Sequence, residues 1–259
     1  MKKNRTTTIF ALLIIIIAIC SVIYVSISNS FEDQINRYPK NFLSDFDSYD
    51  TGRYKIDPET ILASLDRGET GVFALELATP VAPVFDTTIS WHQSDYLKIT
   101  NAVYQLVWKE TFDSWSLLGM VFETTCRDNP NGFESGDIHF FKAVKVNGET
   151  QYTTREVLIT PLNGDLSWGG GANFPHPIFG WKSIDLSRLK ITAEDALRIA
   201  EDNGGKSFCL SKQNGCSLSL ILEPLAYDGW SVEYEYVGNN GLSFFNIHID
   251  PYTGKVIIR

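Results

Sequence analysis

Trp230-Ser231-Val232-Glu233-Tyr234-Glu235-Tyr236 is the stretch that decides how this chain folds. Large apolar side chains fall on every second residue with Ser and Glu between them, the pattern of a strand with one dry face and one wet face. Gly238-Asn239-Asn240-Gly241 reads as a turn, and Phe245, Ile247 and Ile249 then alternate with Asn246, His248 and Asp250. A second turn, Pro251-Tyr252-Thr253-Gly254, leads into Val256, Ile257 and Ile258. The pattern predicts an antiparallel meander whose apolar face needs a cover. A helix upstream supplies it. Thr192 is placed to cap, Ile191 and Ala196 to form a hydrophobic staple, Leu197, Ile199 and Ala200 to continue the inward face, and Gly204-Gly205 to end the helix.

Moving toward the N-terminus, three landmarks recur in the same order. Asp95-Tyr96-Leu97-Lys98-Ile99 resembles Asp195-Ala196-Leu197-Arg198-Ile199, Asp113-Ser114-Trp115-Ser116-Leu117 resembles Asp228-Gly229-Trp230-Ser231-Val232, and Ile159-Thr160-Pro161-Leu162-Asn163-Gly164 resembles Ile249-Asp250-Pro251-Tyr252-Thr253-Gly254. Together they suggest two copies of one unit, with chance similarity as the competing explanation. In the first copy Tyr96, Ile99, Val103, Leu106, Val107 and Glu110 fall at helical spacing, and Met120 to Thr125 reads as a strand. Further upstream, Asp57, Pro58 and Gly68 bracket a short helix, and Val72 to Leu77 reads as a strand.

The N-terminus sets the expected location. Lys2, Lys3 and Arg5 precede an uncharged run from Thr6 to Ser30. At the helical rise, residues 9–27 extend roughly 28 Å, close to one hydrocarbon thickness. The basic leader should stay in the cytoplasm and send the body outward. A cleaved signal peptide is the alternative, with Ser26 and Ser28 as small residues near a cleavage point, and it exports the body equally. The expected fold class is α+β: an N-terminal transmembrane helix, then two lobes with the marks of duplication, each a helix packed on an antiparallel sheet. The expected boundaries are 1–30 for leader and anchor, 31–85 for a juxtamembrane segment with a short helix and strand, 86–183 for the first lobe and 184–259 for the second.

The second lobe resembles a PepSY domain. The residues that carry the resemblance are Ile191-Thr192-Ala193-Glu194-Asp195-Ala196-Leu197-Arg198-Ile199-Ala200, Trp230-Ser231-Val232-Glu233-Tyr234, and Ile249-Asp250-Pro251-Tyr252-Thr253-Gly254-Lys255-Val256. That family is associated with extracytoplasmic bacterial proteins and with propeptides of thermolysin-like proteases. The resemblance implies a binding or regulatory module rather than an enzyme. The chain carries no His-Glu-x-x-His zinc motif, so a protease that it touches would be another molecule.

Composition narrows the functional classes. The chain is 44% hydrophobic and 20% charged, enough to bury a core, and its formal net charge of -9 argues against nucleic acid as a partner. The expected partners are the lipid bilayer through residues 9–27 and a protein or peptide of the cell envelope. No cofactor, metal site or catalytic constellation is expected. Cys209 and Cys216 bracket a short polar loop and are expected to form a disulfide in an oxidising compartment, two free thiols being the alternative. Cys126, Asp137 and His139 are the candidates for an alternative reading as an envelope hydrolase; a passive surface component is the third reading. His92, His176 and His248 lack a partner at ligand spacing. Trp168-Gly169-Gly170-Gly171-Ala172-Asn173 lacks the Lys-Ser/Thr of a phosphate loop and reads, with Phe174-Pro175-His176-Pro177, as an irregular connector between lobes. Trp168, Trp181 and Phe174 are the candidates for a recognition groove, since aromatic side chains anchor interfaces. Trp115 and Trp230 are assigned to packing.

Overall fold

A computed structural model describes residues 52–55, 63–68, 91–126, 132–161, 164–174, 183–223, 229–239 and 241–258. The expected anchor at 9–27, the juxtamembrane stretch from Phe31 to Asp50 and the strand at Val72 to Leu77 lie outside these residues. Among the described residues no helix is long and apolar enough to cross a membrane. The short upstream helix is present over 63–66. It stops at Gly68, whose φ of +78° is left-handed and whose N–H donates to the Leu65 carbonyl at 2.9 Å.

The body is α+β with one antiparallel sheet. The strands are β1 (Gly52–Lys55), β2 (Ser116–Thr125), β3 (Ser135–Val146), β4 (Glu149–Thr160), β5 (Asp165–Phe174), β6 (Ser217–Glu223), β7 (Gly229–Gly238), β8 (Gly241–Ile249) and β9 (Val256–Ile258). The helices are α1 (Gln93–Val103), α2 (Ala193–Ala200) and α3 (Lys206–Ser211). The spatial order β1-β5-β4-β3-β2-β6-β7-β8-β9 makes nine strands continuous. The expectation of two lobes, each on its own sheet, is corrected: β2 and β6 pair antiparallel from Met120↔Leu222 to Thr125↔Ser217 and fuse the halves into one sheet. The reason is that both strands alternate apolar residues with the same phase, so neither half hides its edge without the other.

Helix followed by a four-strand meander occurs twice, as α1 with β2–β5 and as α2–α3 with β6–β9. The landmark at Ile159 and Ile249 falls before the last turn in both halves, but Trp115 and Trp230 do not coincide. Trp115 precedes the first strand of its meander, whereas Trp230 lies in the second. The place that Trp230 holds, paired with Leu222 and Ile249, is held in the first half by Gly136, paired with Phe122 and Ile159. A Cβ on Gly136 would stand 2.5 Å from the Tyr96 ring. A large helix residue over a small strand residue in one half thus answers a small helix residue, Ala196, and a large strand residue, Trp230, in the other.

Three sequence expectations change in detail. α1 opens into a π-helical turn, Tyr104–Trp108, and ends at Lys109 with φ +58°. Gly204, at φ +124°, breaks the helical path where expected, but a further short helix, α3, follows it directly. The glycine run is no connector but strand β5, and the chemistry explains why. A bulge between Thr153 and Arg155 lays the Arg155 stem over the neighbouring strand, and a Cβ on Gly170 would meet it at 2.7 Å.

Candidate functional site

The core joins both halves. Tyr96, Phe122 and Trp230 are buried, with ring centroids 5.3 Å apart for the first pair and 6.3 Å for the second. Trp115 and Trp230 are both core residues, as expected. Trp168 of the expected groove is half-buried against that core, paired with Val157 on β4 and Gly52 on β1. Phe174 ends β5 and its side chain is not among those described; Trp181 lies outside the described residues.

The cysteine pairing is corrected. The disulfide joins Cys126 and Cys209, 83 residues apart, and Cys216 is a buried thiol. Cys126 directly follows β2 and its N–H donates to the Cys216 carbonyl at 3.0 Å, so these two face each other across the β2–β6 junction. Cys209 descends from α3 onto the same spot. The sequence shows that Cys209 and Cys216 are near in the chain, but not that Cys126 follows the adjacent strand. A bridge across so long a loop is worth about 4.5 kcal/mol on the chain-entropy model.

His139 and Asp137 meet on the outer face of β3, with Nε2 3.0 Å from the carboxylate, and Glu156 of β4 lies 3.9 Å from Nδ1. Burial pulls the His139 pKa down, but Asp137, Glu156 and Glu223 outweigh it, and the net shift is upward. Cys126 does not join them. It is locked in the disulfide within the helix-covered core, so Cys126, Asp137 and His139 form no nucleophile–base pair.

At one end of the helix-covered face, Arg155 lies 4.3 Å from the ring centres of both Trp108 and Trp115. Glu110 accepts from Trp115 Nε1 at 2.7 Å and from Lys142 Nζ at 3.3 Å, with Arg155 3.6 Å away. Burial raises the Glu110 carboxyl, yet these partners together hold it below the usual carboxylate range. The aromatic slot is filled by the chain's own guanidinium, which makes it packing of the cation–π kind.

Among the described residues, exposed large apolar side chains gather on the β7–β8 hairpin. Val237 and Leu242 stand opposite each other and Phe244 follows on the same face, 75%, 53% and 63% exposed. The outer edge of β8 is as informative. β9 pairs only with His248 and Ile249, so from Gly241 to Ile247 β8 has no second strand neighbour among the described residues. An open edge beside apolar side chains is a template for an added strand. Sequence reading missed it because Leu242 and Phe244 sit in a strand whose alternation pointed only to Phe245, Ile247 and Ile249.

Residues 190–257 match the family model described as PepSY, the peptidase propeptide and YPEB domain. The match holds α2, α3 and β6–β8, the hairpin included. No curated protein matches the chain by sequence. Among solved structures, HtdX from Mycobacterium tuberculosis overlaps at 13% identity and TM-score 0.21, over 78% of this chain and 95% of that one. The peroxisomal multifunctional enzyme type 2 of Drosophila melanogaster overlaps at 7% identity and TM-score 0.21, over 90% and 51%. A MaoC-like dehydratase from Phytophthora capsici overlaps at 10% identity and TM-score 0.17, over 81% and 92%. Overlaps this low carry no argument about fold or activity.

Proposed function

We propose that this chain is a membrane-tethered, extracytoplasmic binding module without catalysis, engaging a protein partner of the cell envelope such as a peptidase. The match of residues 190–257 to a peptidase-propeptide family carries the reading. The uncharged run behind a basic leader supports the tether and the outward topology. The partner presents an extended segment. It adds to β8 from Gly241 to Ile247 by backbone hydrogen bonds, while Val237, Leu242 and Phe244 take its apolar side chains.

A photocrosslinker at Phe244 of the full chain in native membranes tests this. One reproducible envelope partner should be captured, and the same probe at Leu158, exposed far along the sheet, should not capture it. With that partner purified, amide exchange should slow at residues 241–247, and Phe244→Glu should abolish binding while leaving thermal unfolding unchanged. Equal capture at both positions, or unaltered exchange on β8, overturns the proposed surface. A protease-protection assay on intact cells that leaves the C-terminus sealed inside overturns the topology.

A further inference from the structure

Cys126, Cys209 and Cys216 place their sulfurs within 4.8 Å of one another, and all three residues are buried. A structural zinc shell takes four ligands, and no fourth His, Cys, Asp or Glu joins the group among the described residues. A third thiol beside a disulfide is instead the arrangement that thiol–disulfide exchange needs. The three sites differ in how they are held. Cys126 and Cys216 are fixed face to face by the β2–β6 ladder. Cys209 stands on a helix of six residues that follows the kink at Gly204. Cys209 is thus the one of the three held outside the ladder, on a short helix.

We propose that the cross-link is exchangeable: the Cys216 thiolate attacks Sγ of Cys126, the Cys126–Cys209 bond breaks, and Cys209 leaves with the electron pair and takes up the proton that Cys216 lost. One S–S bond forms as one breaks, and no oxidant or reductant is consumed. The exchange moves the bond from helix-to-strand to strand-to-strand. It releases α3 from the sheet while keeping the two halves joined at β2 and β6. Burial pushes the Cys216 thiol up, and the Lys212 charge works against that; the smaller thiolate fraction slows the attack. Because all three sulfurs are buried, the step is closed to bulky external thiols and stays internal.

The full chain, oxidised and purified in detergent, is quenched and unfolded in acid without reductant; its thiols are then alkylated and quantified site by site. Cys126 is bonded in both isomers and should carry no label. Scored among Cys126, Cys209 and Cys216, with Cys20 quantified apart from them, Cys216 should carry most of the label, and Cys209 should be labelled in about 1–10% of chains, the population expected of a minor state. Of these three, label on Cys216 alone, or label on Cys126, overturns the proposal. Cys209→Ser, exposed to dissolved oxygen as the oxidant, gives a second reading: Cys126 and Cys216 should lose their two thiol protons and two electrons to it, bond to each other and both escape alkylation. Full labelling of both in that variant overturns it as well. If the variant does not fold, the unmodified chain decides.

Discussion

Gly136 has no side chain because the Tyr96 ring occupies the space, and Tyr96 is itself fixed by donating to the Phe133 carbonyl at 2.7 Å. Gly136→Ala drives a methyl into that ring. Overpacking of this kind costs about 1–3 kcal/mol, read as a lower urea midpoint with unchanged slope; an unmoved midpoint would show that the ring yields freely. None of this was legible from residue type, because a lone glycine in a strand gives no hint of what lies above it. A second residue-scale effect concerns pH. His139 has a raised pKa in the fold, held up against burial by Asp137, Glu156 and Glu223. A raised value means its contribution to stability is fully present below the unfolded pKa, about 6.5, and is lost as pH climbs through the higher folded value. Urea midpoints should therefore fall from about pH 6.5 upward. His139→Gln should flatten that part of the profile, and an identical slope in the variant would remove His139 as the cause.

At the scale of elements, the two helices begin beside one another and cap each other. The Ala193 N–H donates to Gln93 Oε1 at 2.8 Å, and the Gln93 N–H donates to Glu194 Oε1 at 2.7 Å. Thr192 caps locally, as expected, and Asp195 completes a box with it, the Asp195 N–H donating to Thr192 Oγ1 at 3.3 Å. The reciprocal part spans about a hundred residues of chain and has no local signature, so only Thr192 was visible beforehand. Gln93 is buried, and Gln93→Ala strands the Ala193 N–H. That should cost about 1–3 kcal/mol, more than an exposed cap is worth, and should speed amide exchange in the first turn of α2. Exchange unchanged there would mean that water replaces the glutamine. The meander β7–β8–β9 and its turns were readable because alternation and Gly/Asn/Pro turn chemistry are local. β5 was not, because its glycines answer to the Arg155 stem on the neighbouring strand.

Over the whole molecule, the decisive contact is the pairing of β2 with β6, which neither half encodes alone. The sequence suggested two lobes because the order of elements repeats. It could not show that both meanders spend their first strand on the other half. Phe122 of the first half packs 6.3 Å from Trp230 of the second, Leu218, Leu220 and Leu222 of β6 are buried, and Cys126 ties β2 to α3. The stretch 190–257 carries the family likeness but not the whole of its core. Cutting the chain before residue 183 exposes the β6 edge along its full length and uncovers one side of Trp230. Small domains bury a low fraction of their surface and have little stability to spare. The isolated piece 183–259 should therefore show collapsed amide dispersion in NMR and no cooperative unfolding, while 48–259 unfolds as a single transition. A well-dispersed, monomeric 183–259 would mean that each half closes its own core and that the shared sheet is a convenience of assembly rather than a condition of folding.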